Sequence, residues 1–129
     1  MLTNFFFLIG EMITSSFALT VSYYVKSRRP PYNSLGYCSR RAKSSEPAWD
    51  FAQVTFGKLA APVFGVFTAL TLIVGAVVLA QDLDRKINLL IFIVHNIILV
   101  SLFIVIVAAV EKKLSENFDE NGKHKGGGL

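Results

Sequence analysis

Three long apolar stretches occupy more than half of this 129-residue chain and leave it few folds to adopt. The first runs from about Asn4 to Val25 and holds one charge, Glu11. The second runs from about Leu59 to Ala80 and holds none. The third runs from about Ile87 to Val110, with His95 as its only titratable group. Each has roughly 22–24 residues, about 33–36 Å of helix at 1.5 Å per residue, against a hydrocarbon core of about 30 Å. The separator Gln81 to Lys86 leaves room only for a tight helical hairpin. The expected fold is an all-α membrane protein, a single membrane domain over 1–114. It has three transmembrane helices, at about 4–25, 59–80 and 87–110.

Composition agrees. Residues AVILMFWYC make up 53%, only 17% are charged and the mean hydropathy is +0.51, whereas a soluble domain carries about a quarter charged residues. A disordered chain, a collagen-like fibre and an ordinary cytosolic enzyme are excluded. The single Cys rules out an internal disulfide framework and a Cys-based zinc cluster. No metal and no cofactor are expected. The first stretch is not read as a signal peptide: no Lys or Arg precedes it, no small-x-small cleavage site follows it, and Glu11 lies inside it.

The distribution of Lys and Arg gives an orientation. The segment 26–58 carries Lys26, Arg28, Arg29, Arg40, Arg41, Lys43 and Lys58, and Lys112, Lys113, Lys123 and Lys125 follow the third stretch. The hairpin has only Arg85 and Lys86, beside Asp82 and Asp84. The expectation is a multi-pass protein of the plasma membrane, with the N-terminus outside and both the loop 26–58 and the C-terminus in the cytoplasm. The polar stretch 115–129, ending in three glycines and a leucine, reads as a disordered tail and in part as an expression linker.

The loop has its own patterning. Pro30 and Pro31 stop the first helix. Ser44, Ser45, Glu46 and Pro47 form a helix start. Trp49, Ala52 and Phe56 then recur on one face, which predicts a short amphipathic helix over 47–56 lying flat at the inner membrane surface, with Trp49 as its interfacial anchor. The basic cluster is explained by topology and anionic lipid attraction, or by docking of an acidic cytosolic partner or a phosphate-bearing lipid. Nucleic acid is not an expected partner, because no folded basic module is present.

Asn33, Gly36 and Tyr37, then Arg40 and Arg41, then Trp49, Gln53 and the run Phe56-Gly57-Lys58 resemble the signature of the SdpI/YhfL family of small bacterial integral membrane proteins. The close match covers about 26 residues, and the placement of the following spans extends it over roughly two thirds of the chain. Cys38 stands where the family usually has Arg, and Gln53 where it usually has Asn, which puts any ligand contact of those positions in doubt. The resemblance implies an immunity and signalling protein that binds a peptide toxin or a lipid and passes its presence to a cytosolic regulator. The binding residues it implies are Asn33, Gly36, Tyr37, Arg40, Arg41, Trp49 and Gln53.

Inside the membrane, Glu11 is costly to insert and needs a partner. Glu11 and His95 each lie about eight residues below the outer end of their spans, roughly 12 Å deep at 1.5 Å per residue. Asn96 is adjacent to His95, and Thr68 and Thr71 reach the same level from the second span. A Glu11–His95 pair with Thr71 and Asn96 is therefore expected, either as an interhelical clamp or as a proton-sensitive or ligand-binding site. Two functional classes follow: a non-enzymatic sensor or immunity protein, and an intramembrane hydrolase using Glu11 and His95 with water. Finally, Gly57, Ala61, Gly65 and Ala69 recur every four residues and predict a close helix contact, either with the first span or, as the preferred reading, in a homodimer.

Overall fold

The computed structural model of the chain describes residues 2–28 and 30–125. Arg29 of the basic cluster and the glycines at 126–128 lie outside the described residues. Three helices follow one another: α1, Leu2–Arg28; α2, Glu46–Gln81; and α3, Arg85–Asn117. A 3₁₀ turn, Ala42–Ser44, precedes α2. All three helices are long and apolar enough to cross a membrane. Their middles carry large side chains left exposed by the protein, such as Phe17, Ile13, Leu72, Ile97 and Val105, as expected when hydrocarbon rather than water surrounds a bundle. This is the architecture of a multi-pass membrane protein.

Local sequence explains the boundaries. α1 ends at Arg28, just ahead of Pro30 and Pro31. α2 begins where the serine–proline signal places it. Ser45 is the N-cap, its hydroxyl oxygen accepting from the Ala48 N–H at 3.1 Å, and Pro47 sits in the first turn. α2 ends at Asp82, whose left-handed conformation (φ 48°, ψ 54°) turns the chain into α3.

α1 and α2 run antiparallel without slip. A Cβ at Gly57 would stand 2.6 Å from Lys26 Cα, and one at Gly75 would run into Leu8. Between those points each helix advances 18 residues, which is about five turns at 3.6 residues per turn, so both glycines lie on one face. Thr68, between them, donates to the Ser15 carbonyl at 3.2 Å. The contact seam on α2 is thus Gly57, Ala61, Phe64, Thr68, Thr71 and Gly75, with alternating steps of four and three. On α1 it is Glu11, Ser15, Ala18, Ser22 and Val25, with the same alternation. Such a repeat keeps a seam on one side of a pair of helices.

The expected row of fours shares Gly57 and Ala61 with this seam and then leaves it. Four residues advance a helix by about 400°, so twelve residues from Gly57 the row has turned about 120° away. Ala69 is accordingly exposed. Gly57 meets α1 of the same chain, and a Cβ at Gly65 would lie 3.8 Å from Leu19.

The hydrophobic core sits at the loop end of the bundle. Val25, Trp49, Ala52, Phe56, Ala60 and Phe64 pack there with Ile106, Val110, Leu114 and Phe118. This changes two expectations. Residues 47–56 are the first turns of the continuous helix α2 rather than a separate flat one, and Trp49 is fully buried, its indole N–H donating to the Pro30 carbonyl at 2.8 Å. No proline intervenes between Phe56 and Leu59, Gly57 is accommodated against Lys26 of α1, and the proline-stopped loop folds over Trp49 and shields it. Part of the polar tail packs on the core through Phe118, while Lys123, His124 and Lys125 are exposed. α3 runs on to Asn117, Phe118 is buried against Phe51, and residues 118–125 turn back. Gly122 (φ +77°) lies in that turn, and its carbonyl accepts from the Ser45 hydroxyl at 2.7 Å. A Cβ there would come within 2.6 Å of Ser45 Cβ.

Candidate functional site

Two arrangements hold the residues singled out by sequence. The first is a polar layer inside the bundle. His95 of α3 is buried, with Nε2 2.9 Å from Ser15 Oγ of α1 and 3.2 Å from Thr71 Oγ1 of α2. All three helices meet at that imidazole. The Ser15 hydroxyl also donates to the Glu11 carbonyl at 2.8 Å, and the Thr71 hydroxyl donates to the Phe67 carbonyl at 2.8 Å. The Ser15 hydroxyl also lies 3.4 Å from Thr71 Oγ1; with the hydroxyls placed on backbone oxygens, the arrangement fits the tautomer with its proton on Nε2, shared between the two side-chain oxygens. Nδ1 is buried and, among the described residues, has no hydrogen-bond partner. Phe67 lies beside the ring, with centroids 4.9 Å apart.

Glu11 is buried on the same seam, and it lines a cavity of about 280 Å³ together with His95 and Thr71. The rest of that cavity is apolar: Phe67, Leu70, Val74, Ile91, Val94 and Ile98. Among the described residues no hydrogen bond joins the Glu11 carboxyl to His95. Glu11 and His95 line one cavity, and the direct partner of the imidazole on α1 is Ser15, one turn from Glu11 on the same face. Asn96 is not part of the layer. Its amide donates to the Phe92 carbonyl of its own helix at 2.8 Å, and it faces a different groove.

A serine hydroxyl 2.9 Å from an imidazole is the pair that nucleophilic catalysis uses. Here Ser15 is fully buried and its hydroxyl reaches the Glu11 carbonyl at 2.8 Å and Thr71 Oγ1 at 3.4 Å, while among the described residues Nδ1 has no hydrogen-bond partner. The hydrogen bonds tie α1, α2 and α3 together at one level.

The second arrangement is a clasp between the loop and the helices. Gln53 of α2 is fully buried. Its Oε1 accepts from the Tyr37 N–H at 2.8 Å, and its Nε2 donates to the Tyr37 carbonyl at 2.7 Å. The Tyr37 hydroxyl donates to Glu111 Oε1 of α3 at 2.6 Å, and its ring stacks on Phe56 at 5.2 Å. Burial, reinforced by the Glu111 carboxylate, pushes the Tyr37 phenol well above the ordinary tyrosine value. Gly36 is required at this point, since a Cβ there would lie 2.6 Å from Gln53 Oε1 and 3.0 Å from Pro30 Cγ. Asn33 occupies a left-handed turn position (φ 62°), which asparagine tolerates better than most residues. Tyr32 packs edge-on against Trp49 at 6.0 Å.

The implied binding set therefore divides. Asn33, Gly36, Tyr37, Trp49 and Gln53 each have a local structural task in folding the loop onto α2 and α3. Arg40 and Arg41 are exposed, and their guanidinium groups remain at the surface. Fold and site together define a three-helix membrane protein with a buried polar clamp and an ordered basic loop. Compared with known proteins, the chain matches no family model, no curated protein and no solved structure.

Proposed function

We propose that this chain is a non-enzymatic binding and signalling protein of the plasma membrane, of the SdpI type, which takes a peptide or lipid within the membrane and presents its basic loop to a cytosolic regulator. Its N-terminus is outside, and the loop and C-terminus are cytoplasmic, as the weight of Lys and Arg on that end favours. The observation that carries the reading is the clasp. Gln53 and Glu111 tie the Tyr37 segment to α2 and α3 at once. A shift of one helix against the other, made by a ligand between the spans, moves the loop and the Arg40–Arg41 pair with it. Such a link between a membrane site and a cytosolic face is what a relay needs.

The test is expression in a bacterium sensitive to secreted peptide toxins, challenged with a panel of purified peptides. The expected result is survival with the wild-type chain and loss of protection with Gln53→Ala at equal membrane abundance. Equal sensitivity with and without the wild-type chain across the panel would overturn the reading.

A further inference from the structure

A groove opens between α1 and α3 and reaches from the middle of the membrane to the loop. Its inner part, about 450 Å³, is walled by Ile13, Phe17, Leu99 and Phe103 and exposes no polar surface. A second cavity of about 420 Å³ continues from it. The two share Val21, Phe56 and Phe103, and the second ends against the loop backbone at Gly36–Ser39. Both volumes fall within the roughly 300–1,000 Å³ common for ligand sites.

Three observations select the occupant. The first is depth. From Ile13 to Val21 the groove runs eight residues along α1, about 12 Å at 1.5 Å per residue, which is close to one leaflet of a hydrocarbon core about 30 Å thick. The second is the wall. Another transmembrane helix docks closely where small residues let backbones approach; here Thr14, Ala18 and Ser22 are interleaved with Ile13, Phe17, Val21, Phe64 and Phe103, whose bulk leaves a channel suited to a thin flexible chain. The third is charge. The groove ends where the basic loop begins: Ser39 is at its mouth, and exposed Arg40 and Arg41 follow at once. At that end the Glu111 carboxylate is held by the Tyr37 hydroxyl, and Glu46 and Asp50 stand in the first turns of α2.

We infer that this groove is a binding site for an anionic glycerophospholipid of the leaflet on the loop side. One acyl chain lies between α1 and α3, and the phosphate sits against Ser39, Arg40 and Arg41. This deepens the function proposed above, resting on it for the membrane setting, and names lipid rather than peptide as the ligand of this groove. The chain bears on Phe56, and Phe56 carries the Tyr37 ring, so an occupied groove supports the clasp from below.

The experiment uses the whole protein purified in detergent, with its thermal unfolding followed as phosphatidylglycerol, phosphatidylcholine or glycerol phosphate is added. A ligand that binds the folded state raises Tm in proportion to its affinity. The expected result is a larger rise with phosphatidylglycerol than with phosphatidylcholine, and none with glycerol phosphate, which lacks the chains. The double substitution Arg40→Gln and Arg41→Gln should remove the preference for phosphatidylglycerol. Val21→Trp, at the junction of the two cavities, should abolish the rise. Val100→Trp, at the more exposed inner end, provides a second block if the first variant does not fold. Val74→Trp, in the separate cavity beside His95, should leave the rise intact. Equal rises with the two lipids, a rise with glycerol phosphate, or a full rise in both groove-filling variants would overturn the inference. The toxin challenge is a cellular assay and these shifts belong to the purified protein, so either idea can fail while the other stands.

Discussion

The side-chain amide of Gln53 closes on both backbone groups of Tyr37, meeting the N–H at 2.8 Å and the carbonyl at 2.7 Å. A helix side chain thereby does for the loop what a neighbouring strand would do, and satisfies two backbone groups that are buried in the fold. Gln53→Ala leaves both without partners. The expected cost is about 1–3 kcal/mol for each group left unsatisfied and not reached by water. Thermal unfolding in detergent should show the loss, and limited proteolysis should cut the loop faster. An unchanged Tm together with unchanged cleavage would contradict the clasp.

Gly36→Ala tests the same contact from the loop side. The added methyl would sit 2.6 Å from Gln53 Oε1, so the glutamine must withdraw or the loop must lift. A loss of about 1–3 kcal/mol is expected from overpacking, read as a lower Tm. A fully stable Gly36→Ala protein would show that the loop is not held against Gln53.

Tyr37 gives the clasp a pH limit. Its folded-state pKa is raised, by burial first and by Glu111 second, while the unfolded phenol ionises near about 10. The unfolded chain therefore releases this proton first. The clasp's stability is full below about pH 10 and is lost as pH rises above it. Ultraviolet titration should show one of the four tyrosines ionising late, with that step missing in Tyr37→Phe. A wild-type curve equal to that of Tyr37→Phe plus one ordinary phenol would refute it.

The polar layer predicts a graded response. Ser15→Ala removes one of the two oxygens that accept from His95 Nε2 and leaves Thr71. Thr71→Val removes the other. Each single change should cost about 0.5–1.5 kcal/mol, the net worth of one hydrogen bond, and the pair more than the sum, because the buried N–H then has no acceptor. Strict additivity in thermal unfolding would argue against a shared acceptor site.

Much of the fold is written openly in the sequence, and specific parts are not. The three spans follow from apolar length, and Ser45 with Pro47 marks the start of α2 because capping is a local matter. The continuity of α2 is not legible in the same way. A flat surface helix and the first turns of a span share one periodicity, and only the bond from Trp49 to Pro30, nineteen residues earlier in the chain, tells them apart. The helix seam was readable but demanded the right period. Steps of four and three along Glu11, Ser15, Ala18, Ser22 and Val25 stay on one face, while the row of fours from Gly57 rotates away. Ser15 joins the candidate site through that seam, although a lone serine in an apolar run gives little signal. The packing of Phe118 and Gly122 on the loop depends on contacts with residues more than sixty positions earlier, which no local pattern carries.

The inner end of the small-residue row makes a further expectation specific. Gly57 already meets Lys26 of its own chain, so Gly57→Leu should destabilise the folded monomer by about 1–3 kcal/mol through overpacking. Cross-linking through a cysteine placed at Ala61 in native membranes separates an intrachain contact alone from a homodimer through this row. Efficient dimer formation supports the homodimer, and monomer alone rules it out.

The relay reading stands or falls first on where the loop lies. Cys38 is the chain's single cysteine, and it is exposed on the loop beside the clasp, so the native protein carries its own reporter. A membrane-impermeant maleimide applied to sealed cells and to permeabilised cells reads it directly. The predicted result is labelling of Cys38 only after permeabilisation, and labelling from outside for a cysteine placed between 82 and 84 in a Cys38→Ser background. Labelling of Cys38 in sealed cells would put the basic loop on the outer face and contradict the proposal.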